Sequence, residues 1–308
     1  MDLTNVRLVQ VWQYAAQSER TLDQVIATAR RFGYTGILIK AIDGLTWMGN
    51  VSAEQPHADA LRTIAQAKEA RIKVNAAGLQ YCLWTVPQWD EDRLRQAQLT
   101  AELTGACDAL FLDVEPYDHF WGANRPSGDA AGFMQVIRAI APTATIVLQP
   151  DPRTGRLQDI RADEWLPHCD GLAGQHYWNT FETNDPAAQM ALALEEAHRF
   201  GVAPVPTLPL ASTPELLQTA IDALQSAGVL AWCTWRLGVG DNATLAVVGR
   251  AAPGGGEGTT PNNRGIIADV LGGWSQKIRS GALSAPDAAQ AVFEVRSAAD
   301  AIQRGEAG

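Results

Sequence analysis

The chain is poor in the residues that most often build metal and redox centres. It has four cysteines (Cys82, Cys107, Cys169, Cys233) and five histidines in 308 residues. No CxxC pair or other metal-like spacing occurs, so reduced, mostly buried thiols are expected and no metal site. Basic residues are also short: 24 Lys and Arg stand against 34 Asp and Glu, a net charge of −10. Without a basic face there is no footprint for a nucleic acid. No apolar run is long enough to span a bilayer. The opening Met1-Asp-Leu-Thr-Asn-Val6 has no basic n-region and no apolar h-region. That predicts no signal peptide, and a product that is cytoplasmic, virion-associated or released by a non-classical route. No Ser or Cys stands in a nucleophile elbow. No glycine-rich loop follows the first apolar stretch, which removes the dinucleotide-binding fingerprint. No cofactor is expected.

What the chain does have is a repeat of short apolar strand, loop and amphipathic helix. Strands are expected at Val6–Trp12, Thr35–Ile42, Ile72–Gln80, Asp108–Glu115, Thr145–Gln149, Leu172–Tyr177, Val202–Leu208 and Val229–Trp235. Helices are expected at Thr21–Phe32, Pro56–Ala70, Asp90–Thr104, Gly128–Ile140, Ala162–Leu166, Pro186–Phe200, from Pro214 after its Thr213 cap, and Ala243–Arg250. Gly33, Gly105, Gly201 and Gly228 fall where helices should stop. Eight such units match an α/β (β/α)8 TIM barrel, which needs about 250 residues. The barrel is assigned to residues 1–252. A Gly/Pro-rich linker follows over 253–264. Residues 265–308 read as a helical hairpin with apolar stripes at Ile267, Leu271, Trp274 and Ile278, then Val292, Val295, Ala299 and Ile302. Those stripes must pack on something: the barrel, another copy in a homo-oligomer, or an assembly partner.

The fourth strand carries the densest chemistry. In Asp108-Ala-Leu-Phe-Leu-Asp-Val-Glu115, Leu110, Leu112 and Val114 share one face, and Phe111, Asp113 and Glu115 the other. Acids on an inner face are costly. One pleat apart, about 6.6 Å between Cα atoms, they would couple and drive their pKa values apart. The plainer reading is a strand end running into solvent.

In a barrel the site lies at the carboxyl ends of the strands. Those ends carry Trp12 and Tyr14; Lys40 and Asp43, with Trp47 beyond; Gln80, Tyr81, Trp84 and Trp89; Asp113, Glu115, Tyr117 and Trp121; Gln149; Gln175, His176, Tyr177 and Trp178; and Trp235 and Arg236. Most tryptophans before the linker fall near such an end, and Trp165 does not. Indole faces around carboxylates suit sugar rings; the competing account is that each tryptophan caps the barrel core. Lys40 shares parity with Leu38, so it should pair with Asp113, Glu115 or a ligand, or form a purely structural ion pair. His176 should face the helices as a satisfied core histidine. Arg236 would bind a substrate carboxylate or an acid at the rim.

Asp113-Val-Glu115, Gln175-His-Tyr177-Trp178 and the tryptophan closing strand eight resemble chitinase-type (family 18) glycoside hydrolases. They also resemble the lysozyme-type (family 25) barrels, which share an Asp-x-Glu there. Gly36-Ile-Leu-Ile-Lys40-Ala-Ile-Asp43-Gly44, Phe111-Leu-Asp-Val-Glu115 and Trp232-Cys-Thr-Trp235-Arg236 resemble glycosidase-like barrels of phages and bacteria. The resemblance covers the barrel and not the tail. It implies Glu115 as general acid, Asp113 orienting a substrate acetamido group that attacks the anomeric carbon, Tyr177 supporting it, and Trp235 as the floor. Lys40, Asp43, Gln80, Gln175, Trp178, Trp12 and Arg236 are the further substrate-binding candidates. Two positions depart from the families. Phe111 stands where chitinases carry an acid, and Val9-Gln-Val-Trp12 lacks the first-strand Asp of the lysozyme type.

Three functions are therefore expected in competition. The first is a hydrolase of a β-linked N-acetylated sugar polymer such as peptidoglycan or chitin. The second is a non-catalytic carbohydrate-binding or structural barrel, for instance a phage-particle or assembly component docked through its tail. The third is a Schiff-base enzyme using Lys40.

Overall fold

The structure is a computed structural model, and it describes residues 1–12, 19, 21–48, 63–122, 125–153, 155–180 and 185–250. Tyr14, the expected linker over 253–264 and the expected hairpin over 265–308 lie outside the described residues.

The strands are β1 (Arg7–Val11), β2 (Gly36–Asp43), β3 (Thr46–Trp47), β4 (Gln80–Val86), β5 (Ala109–Leu112), β6 (Ile146–Leu148), β7 (Gly171–Leu172), β8 (Ala203–Pro204), β9 (Thr207–Pro209) and β10 (Trp232–Trp235). They form one sheet in the order β8-β7-β6-β5-β4-β2-β1-β10-β9, with β3 added antiparallel to β2 and every other pair parallel. Segments β8 and β9 are two parts of one barrel strand. Val205 N donates to Leu172 O on one side, and Pro206 O accepts from Cys233 N on the other, each at 2.9 Å. Pro206 has no N–H to give, which splits the ladder without opening the ring. Setting aside β3 and merging β8 with β9 leaves eight parallel strands in a closed cycle, as the strand–helix repeat predicts.

The helices are α1 (Leu22–Arg31), α2 (Ile64–Ala76), α3 (Arg93–Thr104), α4 (Asp129–Ile140), α5 (Arg156–Asp159), α6 (Ala162–Trp165), α7 (Pro186–Phe200), α8 (Pro214–Ser226) and α9 (Asn242–Arg250). Their starts obey local chemistry. Thr21 and Gln24 close a capping box on α1, and Thr213 caps α8 with Pro214 in its first turn. Gly33, Gly201 and Gly228 take positive φ just past α1, α7 and α8. Gly105 ends α3 in ordinary right-handed backbone instead.

One element is misplaced by periodicity. The alternation Ile72-Lys-Val-Asn reads as the third strand, yet α2 runs through it to Ala76. Ala67, Ala70 and Val74 recur at three and four residues and are buried, while Ile72 is 72% exposed. The strand therefore starts at Gln80 and ends at Val86, so Gln80 sits at the wrong end of the barrel for the role expected of it.

Two layers of core follow from strand parity. Leu8, Leu38, Cys82, Trp84, Phe111, Val147, Ala173, Val205 and Cys233 fill the barrel interior. The alternate residues, among them Val9, Ile39, Leu83, Leu110 and Leu112, pack against the helices. The inner ring is tight where β2 begins: a Cβ on Gly36 would stand 2.7 Å from Gln80 O and 2.8 Å from Leu8 Cδ2. Gly36→Ala should cost about 1–3 kcal/mol as overpacking, read as a lower midpoint in denaturant at unchanged slope.

Candidate active site

The parity of β5 carries the two acids to the mouth. Phe111 lies in the inner core, and beyond Leu112 the backbone stays in register because Asp113 N donates to Thr85 O at 2.9 Å. Asp113 and Glu115 are brought together with Gln175, which shares the inward parity of Ala173. Gln175 Nε2 donates to Asp113 Oδ1 at 2.8 Å, to Glu115 Oε1 at 3.2 Å and to Gln149 O at 3.3 Å. A single amide thus ties the end of β5 to the end of β7. Its own backbone is held by Pro150 O and by a parallel bridge to Thr207. Beneath it, Gln149 Nε2 donates to Thr207 Oγ1 at 3.1 Å, a buried polar contact across the barrel.

The electrostatics follow from crowding. Burial is the main cause raising Asp113 well above the usual carboxylate range; the charge of Glu115 adds to it and Lys40 opposes it. Burial also raises Glu115, against hydrogen bonds from Gln175 and Asp113. Two carboxyl groups in mutual hydrogen-bonding contact hold a proton where an isolated carboxylate would have lost it. Tyr177 is pushed well above the ordinary phenol value by burial and by the charges of Asp113 and Glu115, so it remains a donor. Its ring stacks on Trp235 with centroids 6.4 Å apart, and Trp235 in turn lies 5.8 Å from Trp84. Chemically, the group offers two neighbouring carboxyls with a raised affinity for a proton, a phenol that holds its proton, and an indole stacked on that phenol.

Lys40 faces inward as expected, but its partner is Asp43, at Nζ to Oδ2 2.6 Å. In a regular strand residues three apart face opposite sides. Here the pairing of β2 with β4 slips between Lys40 and Ile42, and the bulge brings Asp43 round to the side of Lys40. Gln88 Nε2 donates to the other oxygen of Asp43 at 2.6 Å. The lysine is thus engaged in an ion pair within its own strand.

Several expected positions are corrected. Gln80 lies at the amino end of β4, paired with Gly36. Trp178 is fully buried in the outer core and its Nε1 donates to Ser212 Oγ at 3.0 Å; the backbone turns beyond Tyr177 and directs it to the helices. Most of the expected aromatic wall is likewise structural. Trp121 packs edge-on to Trp89, Phe133 and Trp165, between the barrel and the helices. Of the described tryptophans, Trp12, Trp235 and, deeper, Trp84 accompany the barrel's inner cluster. His176 faces the helix layer, Nδ1 3.3 Å from Gln189 Oε1, and burial lowers its pKa to about 4.

Sequence reasoning missed Asp151 and Arg153. Asp151 is buried and receives Arg153 Nε and Nη2, and Arg153 also donates to Tyr117 Oη at 3.1 Å. Their opposite charges both act on Glu115. The signal was available: Asp151 has the inward parity of Gln149 at a strand end. Among the described residues no group of three or more His, Cys, Asp or Glu could hold a metal ion. No helix among them is long and apolar enough to cross a membrane.

In fold the chain is an α/β (β/α)8 barrel, and the solved structures it is similar to in fold include glycoside hydrolases. It is similar to active domain 2 of a thermostable chitinase from Pyrococcus furiosus, at TM-score 0.60 and 10% identity, covering 84% of this chain and 98% of that one. It is similar to the endo-1,4-β-mannanase of Rhizomucor miehei, at TM-score 0.59 and 9% identity, covering 81% and 94%. It is also similar to the PgaB glycoside hydrolase domain of Bordetella bronchiseptica, at TM-score 0.51 and 11% identity, covering 79% and 95%. No family model and no curated protein matches the sequence.

Proposed function

We propose that the chain is a glycoside hydrolase acting on a β-linked polymer of N-acetylated sugars, chitin-like or peptidoglycan, with Glu115 as the general acid. The observation that supports this most is the fork of Gln175 Nε2 on Asp113 and Glu115 beside Tyr177 and Trp235. A burial-raised Glu115 keeps a proton to give to the leaving oxygen. Asp151 is committed to Arg153. The resemblance to chitinase-type enzymes implies a nucleophile from the substrate: the acetamido oxygen attacks the anomeric carbon while Glu115 protonates the departing glycosidic oxygen, with Asp113 orienting the acetamido group and Tyr177 supporting it.

Phe111, fully buried in the barrel where chitinase-type enzymes carry an acid, supports a second reading. In that reading the barrel binds glycan without cleaving it, as part of a larger assembly. Incubation with end-labelled N-acetylglucosamine oligomers and with purified cell walls separates the two. Shortened products carrying new reducing ends support hydrolysis. Retention of intact oligomers with no product supports the binding barrel.

A further inference from the structure

Among the described residues three cations stand around the mouth, and two are neutralised by carboxylates close to them in the chain. Lys40 is held by Asp43 at 2.6 Å and Arg153 by Asp151 at 2.5 Å. Arg236 is not. Its guanidinium carbon lies 4.6 Å from the ring centroid of Trp12 and 5.8 Å from that of Trp235. Among the described residues no carboxylate lies within ion-pairing distance of it, and its Nη1 is shielded from solvent without a hydrogen-bond partner. Indoles hold a guanidinium by its face, which leaves the in-plane N–H edge free for a planar acceptor. A carboxylate fits that edge with two parallel bonds.

We propose that Arg236 is the carboxylate-binding residue of this site, so that the glycan it takes carries an acid group beside the N-acetylated sugar that meets Glu115. The proposal rests on the glycan reading above and narrows its substrate to an acidic polymer. Burial lowers the pKa of the Arg236 guanidinium, the consequence of covering a cation that has no counter-ion of its own. A net charge of −10 provides no long-range attraction for an anion. Discrimination must then come from contact at Arg236 and depend only modestly on salt.

The source of the carboxylate is either a lactyl ether on the N-acetylated sugar or an alternating uronic acid. The test is calorimetric titration of the full chain carrying Glu115→Gln, which suppresses turnover. Three oligomers of equal length serve as probes: N-acetylglucosamine alone, N-acetylglucosamine alternating with N-acetylmuramic acid, and N-acetylglucosamine alternating with glucuronic acid. One acidic oligomer should bind about 10- to 100-fold tighter than the neutral one, the scale of a charge-assisted hydrogen-bonded pair. The arm that does so identifies the source. Adding Arg236→Gln should bring the acid-to-neutral ratio to about one, and Arg236→Lys, which keeps the charge without the planar fork, should leave it between. A ratio near one before substitution, or one that survives both substitutions, overturns the role of Arg236 while leaving the glycan reading intact. Failure of all three oligomers to bind overturns the glycan reading, and this inference with it.

Discussion

Replacing Glu115 by Gln is expected to cut cleavage of N-acetylated oligomers by at least about 10²–10⁴-fold, the contribution usual for one positioned proton donor. Gln keeps the shape and still offers an oxygen to Gln175 Nε2, so the bridge from β5 to β7 should survive. What it cannot do is release a proton to the leaving oxygen. The melting temperature should change by no more than a few degrees, because the substitution removes a partly buried carboxyl rather than a packing contact. The pH profile of the parent protein gives an independent check. Burial raises the Glu115 pKa above its ordinary 4.5, so the acid form persists to higher pH than for a free glutamate. The falling limb of the rate should sit correspondingly higher, and the rate should decline as pH rises through it. Undiminished cleavage of chitin oligomers and cell walls by the Gln variant would remove Glu115 from the mechanism.

Asp113→Asn should make the protein more stable at neutral pH while also lowering its activity. The Asp113 carboxyl is raised well above its ordinary 3.8, chiefly by burial and then by Glu115. A carboxyl whose folded pKa exceeds its unfolded one binds protons more tightly in the native state. Stability then falls as pH rises from the unfolded value through the folded one, and the full penalty is present above that. Asn carries no charge to bury and its oxygen can still accept from Gln175. The gain should be about 0.5–2 kcal/mol, typical of relieving an active-site compromise, or about 1–8 °C in Tm at about 2–4 °C per kcal/mol for a domain of this size. The decisive feature is its pH dependence: the advantage should shrink toward zero as pH drops below 3.8, where the wild-type carboxyl is protonated folded and unfolded alike. An advantage that is flat across pH, or a variant less stable at neutral pH, would show that the charge of Asp113 is compensated in the native state.

The stability change and the rate change come from the same placement. Burial raises both carboxyls of the pair, which favours a held proton and makes their ionised forms costly to the fold. Lys40 illustrates how narrowly this is arranged. Its charge lowers the Asp113 pKa through space, yet its ion pair is with Asp43, which the β2 bulge turns inward. The sequence shows two residues three apart that belong on opposite faces; the bulge that reconciles them is set by pairing with β4, a neighbour distant in the chain.

Local chemistry alone determined much of this protein. The period of two put Phe111, Asp113 and Glu115 on one face. Caps at Thr21 and Thr213 set helix starts, and the recurrence of strand and helix implied a ring of eight parallel strands. These are short-range preferences of backbone and side chain, and they are written residue by residue. Only the tertiary structure decided which strand ends meet. Gln175 reaches two acids some sixty positions earlier, Asp151 and Arg153 stand beside Glu115, and Trp178 and Trp121 turn into the helix layer while Trp235 stays at the mouth. Where Ile72-Lys-Val-Asn alternated like a strand, burial of Ala67, Ala70 and Val74 against the barrel made it a helix and moved Gln80 to the far end. Side-chain company is fixed by closure of the barrel, which sums contacts between segments far apart in the chain, and no window of neighbouring residues contains that sum.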